Sequence, residues 1–478
     1  MAASRERLEH EARLPWRAGY YPTVWPSEHT DLWRSHAVAD AGLPGDAFAD
    51  GKQPTLRVST SRLNLPVWGY TRDADQVFVV GGSPVVLEAF TQAMLGGGVP
   101  SPIIDPGEHL ASIPYVARID PITMDVISVD LTEGHTINYT GGLLMHADGF
   151  VYAVAQSVLY KIDTVTMRAV AVLHLPLVGA GGPSGFSTTY NGLQVVESGR
   201  LLLKGFSLFG DEKIEGWLLQ VDASDLSIVV QQAEILSSAR MTVEQSPDGP
   251  TYLYLINEME SRRYQVEQDA FVPDRPWTAA YRDENSKSTQ ASSPLLFGKI
   301  GQSVFADNTA PGAKTPIQLY SQLTTKDRSP GRLDGTPAFD IPKPGYNFFM
   351  VAGDPFERQI VVYYDPINRL MSAHRVIEGG GFEPIWNRDG CYFASASPAI
   401  VHDRDLLYID DYRDGRDHLV ILRLSSGEQL ASVALDAKLP TIGTIFVGMN
   451  DDVFLISSEA GTANGLVSRV TLAPDQPI

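Results

Sequence analysis

Three aspartates that end short apolar segments are the residues best placed to bind a metal ion. Asp307, Asp365 and Asp411 each follow a β-type stretch in three successive repeats of one pattern. Ca²⁺ and Mg²⁺ prefer carboxylate and amide oxygens, so these side chains with Asn308 or Asn347 could hold such an ion. The ion would polarise a carbonyl or activate water. The alternative is three solvated turn aspartates, and the sequence favours that alternative, so no cofactor is certain.

A second set of residues could carry acid–base chemistry. His135 is the best single candidate for a general acid or base, because the ordinary pKa of histidine lies near neutrality. Tyr190, Arg240 and Lys204 complete the catalytic candidates. A wall of Tyr139, Tyr190 and Arg240 would suit an aromatic or anionic organic ligand. The residues predicted to bind a small-molecule substrate are Asn138, Tyr139, Asn191 and Asn347.

Other catalytic chemistries find little support. An iron site of four histidines needs one from each of four repeats, whereas the ten histidines are scattered. Of these, His135 is predicted to reach the mouth of the funnel, with His29, His36 and His109 as further candidates. The G-x-S-x-G elbow of hydrolases is absent. Cys391 is the only cysteine, which rules out an intrachain disulfide.

The elements that would position these residues form a repeat. Residues 142–175 predict four short strands of alternating polarity, separated by Asp, Gly and Ser turns, which is typical of an antiparallel meander. Similar units recur at a spacing of roughly 50 residues, the length of a four-stranded propeller blade. The sequence therefore predicts an all-β propeller of eight blades, or of seven if residues 293–320 are a decorated loop.

The two ends of the chain are predicted to meet in one blade. The last unit lacks a fourth strand, and TLRVST at residues 55–60 could supply it, which would remove the exposed sheet edges. The predicted organisation is an N-terminal arm at residues 1–53 and a single propeller domain at 54–478. An insertion at residues 82–113 contains a helix-like segment that is either a lid over the central funnel or a packing decoration.

Propeller topology is what selects the candidate residues. Inner-strand starts and second-strand ends converge on one face of the ring, the mouth of the funnel. His135, Asn138, Tyr190 and Arg240 precede or begin inner strands, and Lys204 and the three aspartates follow or end second strands. Second-strand ends are also polar because they meet water, so each of these residues taken singly could be a rim residue without a function.

The arm carries the sequence WPSEHTDLWRSH at residues 25–36, ahead of the repeated four-strand units. This combination resembles the quinoprotein-like propeller superfamily, and the resemblance covers most of the chain as architecture. Quinone-dependent dehydrogenases often carry an adjacent cysteine pair under the cofactor and tryptophan motifs between blades. This chain has neither, so the resemblance implies the fold without the quinone. A looser likeness is to sugar-lactonase-like propellers, which hold a divalent metal in the funnel.

Charge and hydropathy limit the partners. The formal net charge is 37 − 57 = −20, which disfavours nucleic acid and anionic membranes because phosphate binding needs a basic face. No run approaches the ~18 apolar residues of a membrane span. The charged N-terminus lacks the apolar region of a secretory signal. With a single cysteine, these features predict a cytoplasmic protein.

The sequence therefore predicts a non-redox enzyme that acts on a small organic molecule in the funnel, by lyase, isomerase, cyclase or lactone-hydrolase chemistry. The alternative is a non-catalytic propeller scaffold that binds a ligand or a protein. A quinone or metal oxidoreductase ranks third, because the cysteine pair is missing and the histidines are sparse.

Overall fold

The structure is a computed structural model of the 478-residue chain. It describes residues 5–82, 113–133, 140–177, 189–206, 215–235, 239–247, 249–257, 259–282, 291–307, 316–325, 331–340, 351–366, 368–391, 393, 397–438, 441–458 and 464–473. The predicted lid-like insertion falls almost wholly outside these residues. No helix in the described part is both long and apolar enough to cross a membrane.

Eight sheets of at least four antiparallel strands surround a central axis, and the predicted eight-bladed propeller is confirmed. The arm contributes α1 (Arg5–Glu11) and β1 (Ala37–Val38), and the strand β2 (Leu56–Asn64) follows it. Blade 1 contains β3 (Pro66–Asp73), β4 (Gln76–Gly81), β5 (Tyr115–Ile119) and β6 (Val126–Asp130). Blade 2 contains β7 (Thr140–Met145), β8 (Val151–Ala155), β9 (Val158–Asp163) and β10 (Arg168–His174).

The next three blades repeat this order from the inside of the ring outward. Blade 3 contains β11 (Thr189–Val195), β12 (Leu201–Phe206), β13 (Glu215–Val221) and β14 (Ile228–Ile235). Blade 4 contains β15 (Thr242–Glu244), β16 (Thr251–Ile256), β17 (Glu260–Val266) and β18 (Phe271–Pro273), with β19 (Ala279–Ala280) added beside β17. Blade 5 contains β20 (Leu295–Phe297), β21 (Gln302–Asp307), β22 (Gln318–Leu323) and β23 (Thr336–Pro337).

The last three blades complete the ring. Blade 6 contains β24 (Ala352–Asp354), β25 (Ile360–Asp365), β26 (Leu370–Val376) and β27 (Phe382–Asp389). Blade 7 contains β28 (Ala399–Val401), β29 (Leu406–Asp410), β30 (His418–Arg423) and β31 (Gln429–Ala434). Blade 8 contains β32 (Thr441–Val447), β33 (Asp452–Ser458) and β34 (Asn464–Leu472), and its outermost strand is β2, which pairs antiparallel with β34 from Leu56 to Asn64.

A recurrent aspartate turn joins the third and fourth strands of the first three blades. Asp120, Asp163 and Asp222 each accept, through Oδ1, the backbone N–H of the residue two positions later, at 2.8–3.0 Å. The residue four positions after each aspartate has a positive φ, between 51° and 62°. Aspartate favours such turns because its side chain caps backbone N–H groups locally. This turn accounts for the aspartate at or just after the end of the third strand of each of these blades.

The arm crosses the axis of the ring and contacts all eight blades. Its carbonyl groups accept hydrogen bonds from inner strands at 2.7–3.1 Å, and Gly42 donates to Gly448 of blade 8 at 3.4 Å. Tyr20 reaches Gln194 of blade 3. Because the arm meets the C-terminal parts of the inner strands, it closes the end of the funnel opposite the mouth. In each pair the carbonyl of the arm residue, given first, accepts the N–H of the strand residue: Trp25 with Thr71, Pro26 with Met145, Leu32 with Val243, Trp33 with Leu296, Ser35 with Gly353 and His36 with Ile400.

Candidate functional site

A buried group of ions lies where the arm crosses the axis. Glu28 of the arm pairs with Arg240, which precedes β15; Arg240 Nη2 and Glu28 Oε1 are 2.6 Å apart. Arg34 Nη2 lies 3.6 Å from Glu28 Oε2. All three side chains are at most 10% exposed. Buried charges are tolerated only when they are paired and hydrogen-bonded, so Glu28 is the anion that holds two guanidinium groups inside the ring.

Trp68 of β3 forms a flat wall beside this group. The Arg240 guanidinium carbon lies 5.0 Å from the centroid of the Trp68 ring, which is a cation–π contact. Within the described part of the chain, Arg240 Nε and Trp68 Nε1 are buried N–H donors with no hydrogen-bond acceptor. Buried donors are usually satisfied, so these two N–H groups are available to a ligand that accepts hydrogen bonds.

Lys204 of β12 adds a third basic side chain. It is fully buried. Burial lowers the pKa of Lys204 well below its ordinary value, and the positive charges of Arg240 and Arg34 lower it further. Burial also lowers the pKa of Arg34, to about 9, so Arg34 remains charged at neutral pH. We call Glu28, Arg34, Trp68, Lys204 and Arg240 the axial site; its basic side chains outnumber its one carboxylate three to one.

Two histidines of the arm adjoin the axial site. His29 Nδ1 lies 2.6 Å from His36 Nε2, and His29 Nε2 lies 3.4 Å from Glu28 Oε2. Burial lowers the pKa of both imidazoles well below the ordinary value. The positive charges of Arg34 and Arg240 act in the same direction on His29. Both rings are therefore held neutral at physiological pH.

The backbone of the arm is strained at this point. Thr30, Arg34 and His36 have φ values of 69°, 60° and 60°. Residues other than glycine rarely adopt positive φ, and a β-branched threonine there is an outlier. Asp31 holds the turn by accepting the backbone N–H of Ser35 at 3.1 Å. Strain of this kind costs about 1–3 kcal/mol per residue and clusters at functional sites.

The structure brings together two of the four predicted catalytic residues. Arg240 and Lys204 both belong to the axial site. Tyr190 of β11 is also buried, but its hydroxyl donates to the carbonyl of Pro176 at 2.6 Å, and it packs in the apolar core of blades 2 to 4. Of the predicted substrate-binding residues, Asn191 is buried in the same strand. His135, Asn138, Tyr139 and Asn347 lie outside the described residues, as does Asn308.

The three predicted metal ligands have separate partners. Asp307 pairs with Arg282, whose Nε lies 3.0 Å from Asp307 Oδ1. Asp365 Oδ2 accepts from Asn368 Nδ2 at 2.7 Å, and Asp411 Oδ2 lies 3.6 Å from Arg413. The described ranges contain no group of three or more His, Cys, Asp or Glu side chains that could hold a metal ion. The structure therefore gives no support to a shared site for these aspartates within the part that it describes.

Sequence reasoning missed most of the axial site. Glu28, Arg34 and Trp68 were not candidates, and His29 and His36 were considered only as members of an iron site. The indication available in the sequence was the density of polar and charged residues around the two tryptophans of WPSEHTDLWRSH. A charged segment that is also rich in large aromatics is typical of a buried polar cluster rather than of a solvated arm.

Comparisons with known proteins identify no family for this chain. No protein-family model matches the sequence. No curated protein matches it either.

Solved structures do share the fold. A europium-containing methanol dehydrogenase superposes with a TM-score of 0.61 at 10% identity, covering 98% of this chain and 100% of that protein. A quinohemoprotein alcohol dehydrogenase from Comamonas testosteroni has a TM-score of 0.60 at 10% identity, covering 100% and 84%. A quinohemoprotein alcohol dehydrogenase from Pseudomonas putida HK5 has a TM-score of 0.58 at 10% identity, covering 100% and 84%. The resemblance to quinoprotein-like propellers is thus confirmed for the architecture.

These similarities overturn the prediction of a non-redox enzyme. The three solved structures are dehydrogenases, which are redox enzymes, and lyase or hydrolase chemistry finds no counterpart among them. The alternative of a non-catalytic scaffold fits them no better. At 10% identity the similarity shows the fold of this chain and leaves its activity to be argued from its own residues.

Proposed function

We propose that the chain is an oxidoreductase for small organic molecules such as alcohols, and that its axial site binds a planar, polycarboxylated quinone. The observation that carries this proposal is the pair of buried donors without acceptors, Arg240 Nε and Trp68 Nε1, in a cluster with excess basic side chains. The shared fold of the dehydrogenases supports the choice of chemistry.

The residues present fit such a group in charge and in shape. Arg240 and Arg34 would hold its carboxylates, because charge-assisted hydrogen bonds to guanidinium groups are the strong ones, and Lys204 Nζ would donate a further hydrogen bond. Trp68 would contact its ring face, since flat aromatic surfaces stack. When bound, an ortho-quinone supplies an acceptor for the two electrons that an alcohol loses on oxidation.

The chain's own residues have three further tasks. Glu28 keeps Arg240 and Arg34 in position while they face a ligand. The arm closes the lower end of the funnel and excludes water from it, which strengthens every charge interaction in the site. The neutral form of Lys204 that its lowered pKa favours could accept a proton at Nζ. The described residues contain no group of His, Cys, Asp or Glu side chains that could hold a metal ion.

The test is a calorimetric titration of the purified protein with pyrroloquinoline quinone, followed by an assay of alcohol-dependent reduction of an artificial dye by the loaded protein. We expect micromolar or tighter binding and dye reduction with a primary alcohol. Trp68→Leu and Arg240→Gln should each weaken binding about 10- to 100-fold, since a hydrogen bond to a charged group contributes about 1.5–3 kcal/mol.

The matched control is Trp386→Leu, which removes another buried tryptophan, in β27 of blade 6, and should leave binding unchanged. Binding without alcohol-dependent dye reduction would exclude the oxidoreductase activity. Failure of the quinone to bind, or equal binding by all four proteins, would exclude the axial site as its location.

A further inference from the structure

A string of three side chains runs from the axial site into the arm. Glu28 Oε2 faces His29 Nε2 at 3.4 Å, and His29 Nδ1 faces His36 Nε2 at 2.6 Å. The His36 ring in turn faces the backbone carbonyl of Pro398, just before β28. The two imidazoles are fully buried, and Glu28 is nearly so. The string therefore connects the centre of the ring to blade 7 without exposure to solvent.

Counting protons shows that the string is incomplete. Its three links lie between Glu28 and His29, between His29 and His36, and between His36 and the Pro398 carbonyl. Each link needs one proton, and both ends are acceptors when the carboxyl group is ionised. A neutral imidazole carries one proton, so two neutral histidines supply two protons for three links. The contact of 3.4 Å between His29 Nε2 and Glu28 Oε2 is the link that lacks a hydrogen bond in the described structure.

We infer that Glu28, His29 and His36 form a proton-accepting chain, which takes up one proton when an anionic aromatic ligand occupies the axial site. The inference rests on the ligand-binding part of the proposed function and not on its redox chemistry. The extra proton completes all three links.

The charges around the string explain why it is short of a proton without a ligand. Arg34 faces both histidines from the arm, and Arg240 faces His29 from the segment before β15. Lys204 of β12 and Tyr70 of β3 also lie within range of these charges. Burial and the two guanidinium charges both hold the pKa of His29 far below its ordinary value.

Binding of an anion changes this balance in one direction. Carboxylates placed beside Arg240 and Arg34 offset their positive charge, so the pKa of the histidines rises in the complex. A group whose pKa is higher in the complex than in the free protein takes up protons on binding. Affinity for the anion should consequently increase as the pH falls from 8 to 6.

The experiment is isothermal titration calorimetry of the full-length protein with two probes, pyrroloquinoline quinone and the redox-inactive benzene-1,3,5-tricarboxylate. Each titration is run in buffers of low and high ionisation enthalpy at pH 6 and pH 8. The dependence of the heat on the buffer gives the number of protons taken up. For the wild type we expect about one proton at pH 6 and less at pH 8, because the string has one vacant proton position.

His29→Gln and His36→Gln should each reduce the uptake to less than half, while His374→Gln, at a buried histidine of β26, should leave it unchanged. A purely structural role for His29 and His36 would alter the affinity and leave the proton number as in the wild type. If the His29 and His36 variants do not fold, the number of protons taken up by the wild type tests the inference without them.

The two proposals fail in different ways. Binding of either probe with no proton uptake at both pH values would overturn the proton-accepting chain and leave the ligand site intact. Uptake with the tricarboxylate but no binding of the quinone would support the chain and exclude the quinone. Absence of binding by both probes would overturn the chain together with the site on which it depends.

Discussion

Glu28 carries the negative charge that keeps two buried guanidinium groups in the centre of the ring. Arg240 and Arg34 lie 2.6 Å and 3.6 Å from its two oxygens. Removing one partner of a buried ion pair leaves an uncompensated charge, which typically costs about 3–5 kcal/mol. Variants of Glu28 should therefore change stability and ligand binding together, whereas variants of Trp68, His29 and His36 leave this ion pair in place.

His374 offers a residue-scale test of burial away from the axis. It lies in β26, 3% exposed, and burial lowers its pKa from 6.5 to about 4. The unfolded chain binds a proton at this position below pH 6.5 and the folded chain does not, so stability falls as the pH drops from 6.5 towards 4. Between pH 7 and pH 5 the free energy of unfolding of the wild type should fall by about 2 kcal/mol more than that of His374→Gln.

The measurement for His374 is urea unfolding at pH 7 and pH 5. His174→Gln is the control, because the His174 side chain is 64% exposed, and it should lose as much stability as the wild type. Equal losses in His374→Gln and in the wild type would show that His374 is protonated without cost in the folded protein.

At the scale of elements, adjacent inner strands approach so closely that glycine is required. A Cβ at Gly443 of β32 would lie 2.5 Å from the carbonyl oxygen of Val67 in β3, and a Cβ at Gly141 of β7 would lie 1.7 Å from that of Tyr190 in β11. Both clashes are with backbone atoms, which cannot rotate away. Inner strands converge on the axis, so the contacts between blades are tightest there.

Gly443→Ala tests this closeness. We expect it to destabilise the protein by about 1–3 kcal/mol, the usual cost of overpacking, seen as a lower urea midpoint. Gly45→Ala is the control, because its nearest neighbour is the Arg404 side chain at 3.3 Å, and a surface change of this kind stays within about 0.5 kcal/mol. Equal midpoints for the two variants would mean that blades 8 and 1 can separate to admit a methyl group.

At the scale of the whole molecule, the two ends of the chain meet in blade 8. The nine residues of β2 pair with β34 along their full length. Without β2, the strand β34 would present an exposed edge, and such edges pair with other chains. The arm also contacts every blade, so the N-terminal 64 residues hold the ring together both through the pairing of β2 with β34 and through the arm.

Truncation separates these contributions. Deleting residues 1–12 removes α1, whose one buried side chain is Leu8, and should lower the melting temperature far less than the longer deletion does. Deleting residues 1–64 should give aggregated protein on size-exclusion chromatography. The pairing of β2 with β34 and the arm contacts together stabilise the fold by more than its total free energy of unfolding, which for a typical protein is about 5–15 kcal/mol. A monomeric product with an unchanged melting temperature would contradict this role of the N-terminal segment.

The sequence alone determined the architecture. Strand alternation, the recurrent Asp, Gly and Ser turns and the spacing of roughly 50 residues predicted eight four-stranded blades, because such patterns are local and each unit repeats them. The sequence also placed Arg240 and Lys204 among the candidates, since propeller topology directs those positions to the axis.

Only the tertiary structure decided which residues lie at the axis of the ring. Glu28, His29, Arg34 and His36 lie more than 160 residues from Lys204 and Arg240 in the sequence, and no local pattern states that the arm crosses the ring. Their meeting depends on hydrogen bonds from the arm to successive inner strands. Charges that look solvated in a sequence become a binding site when a fold buries them together, because burial shifts their pKa values and creates their need for partners.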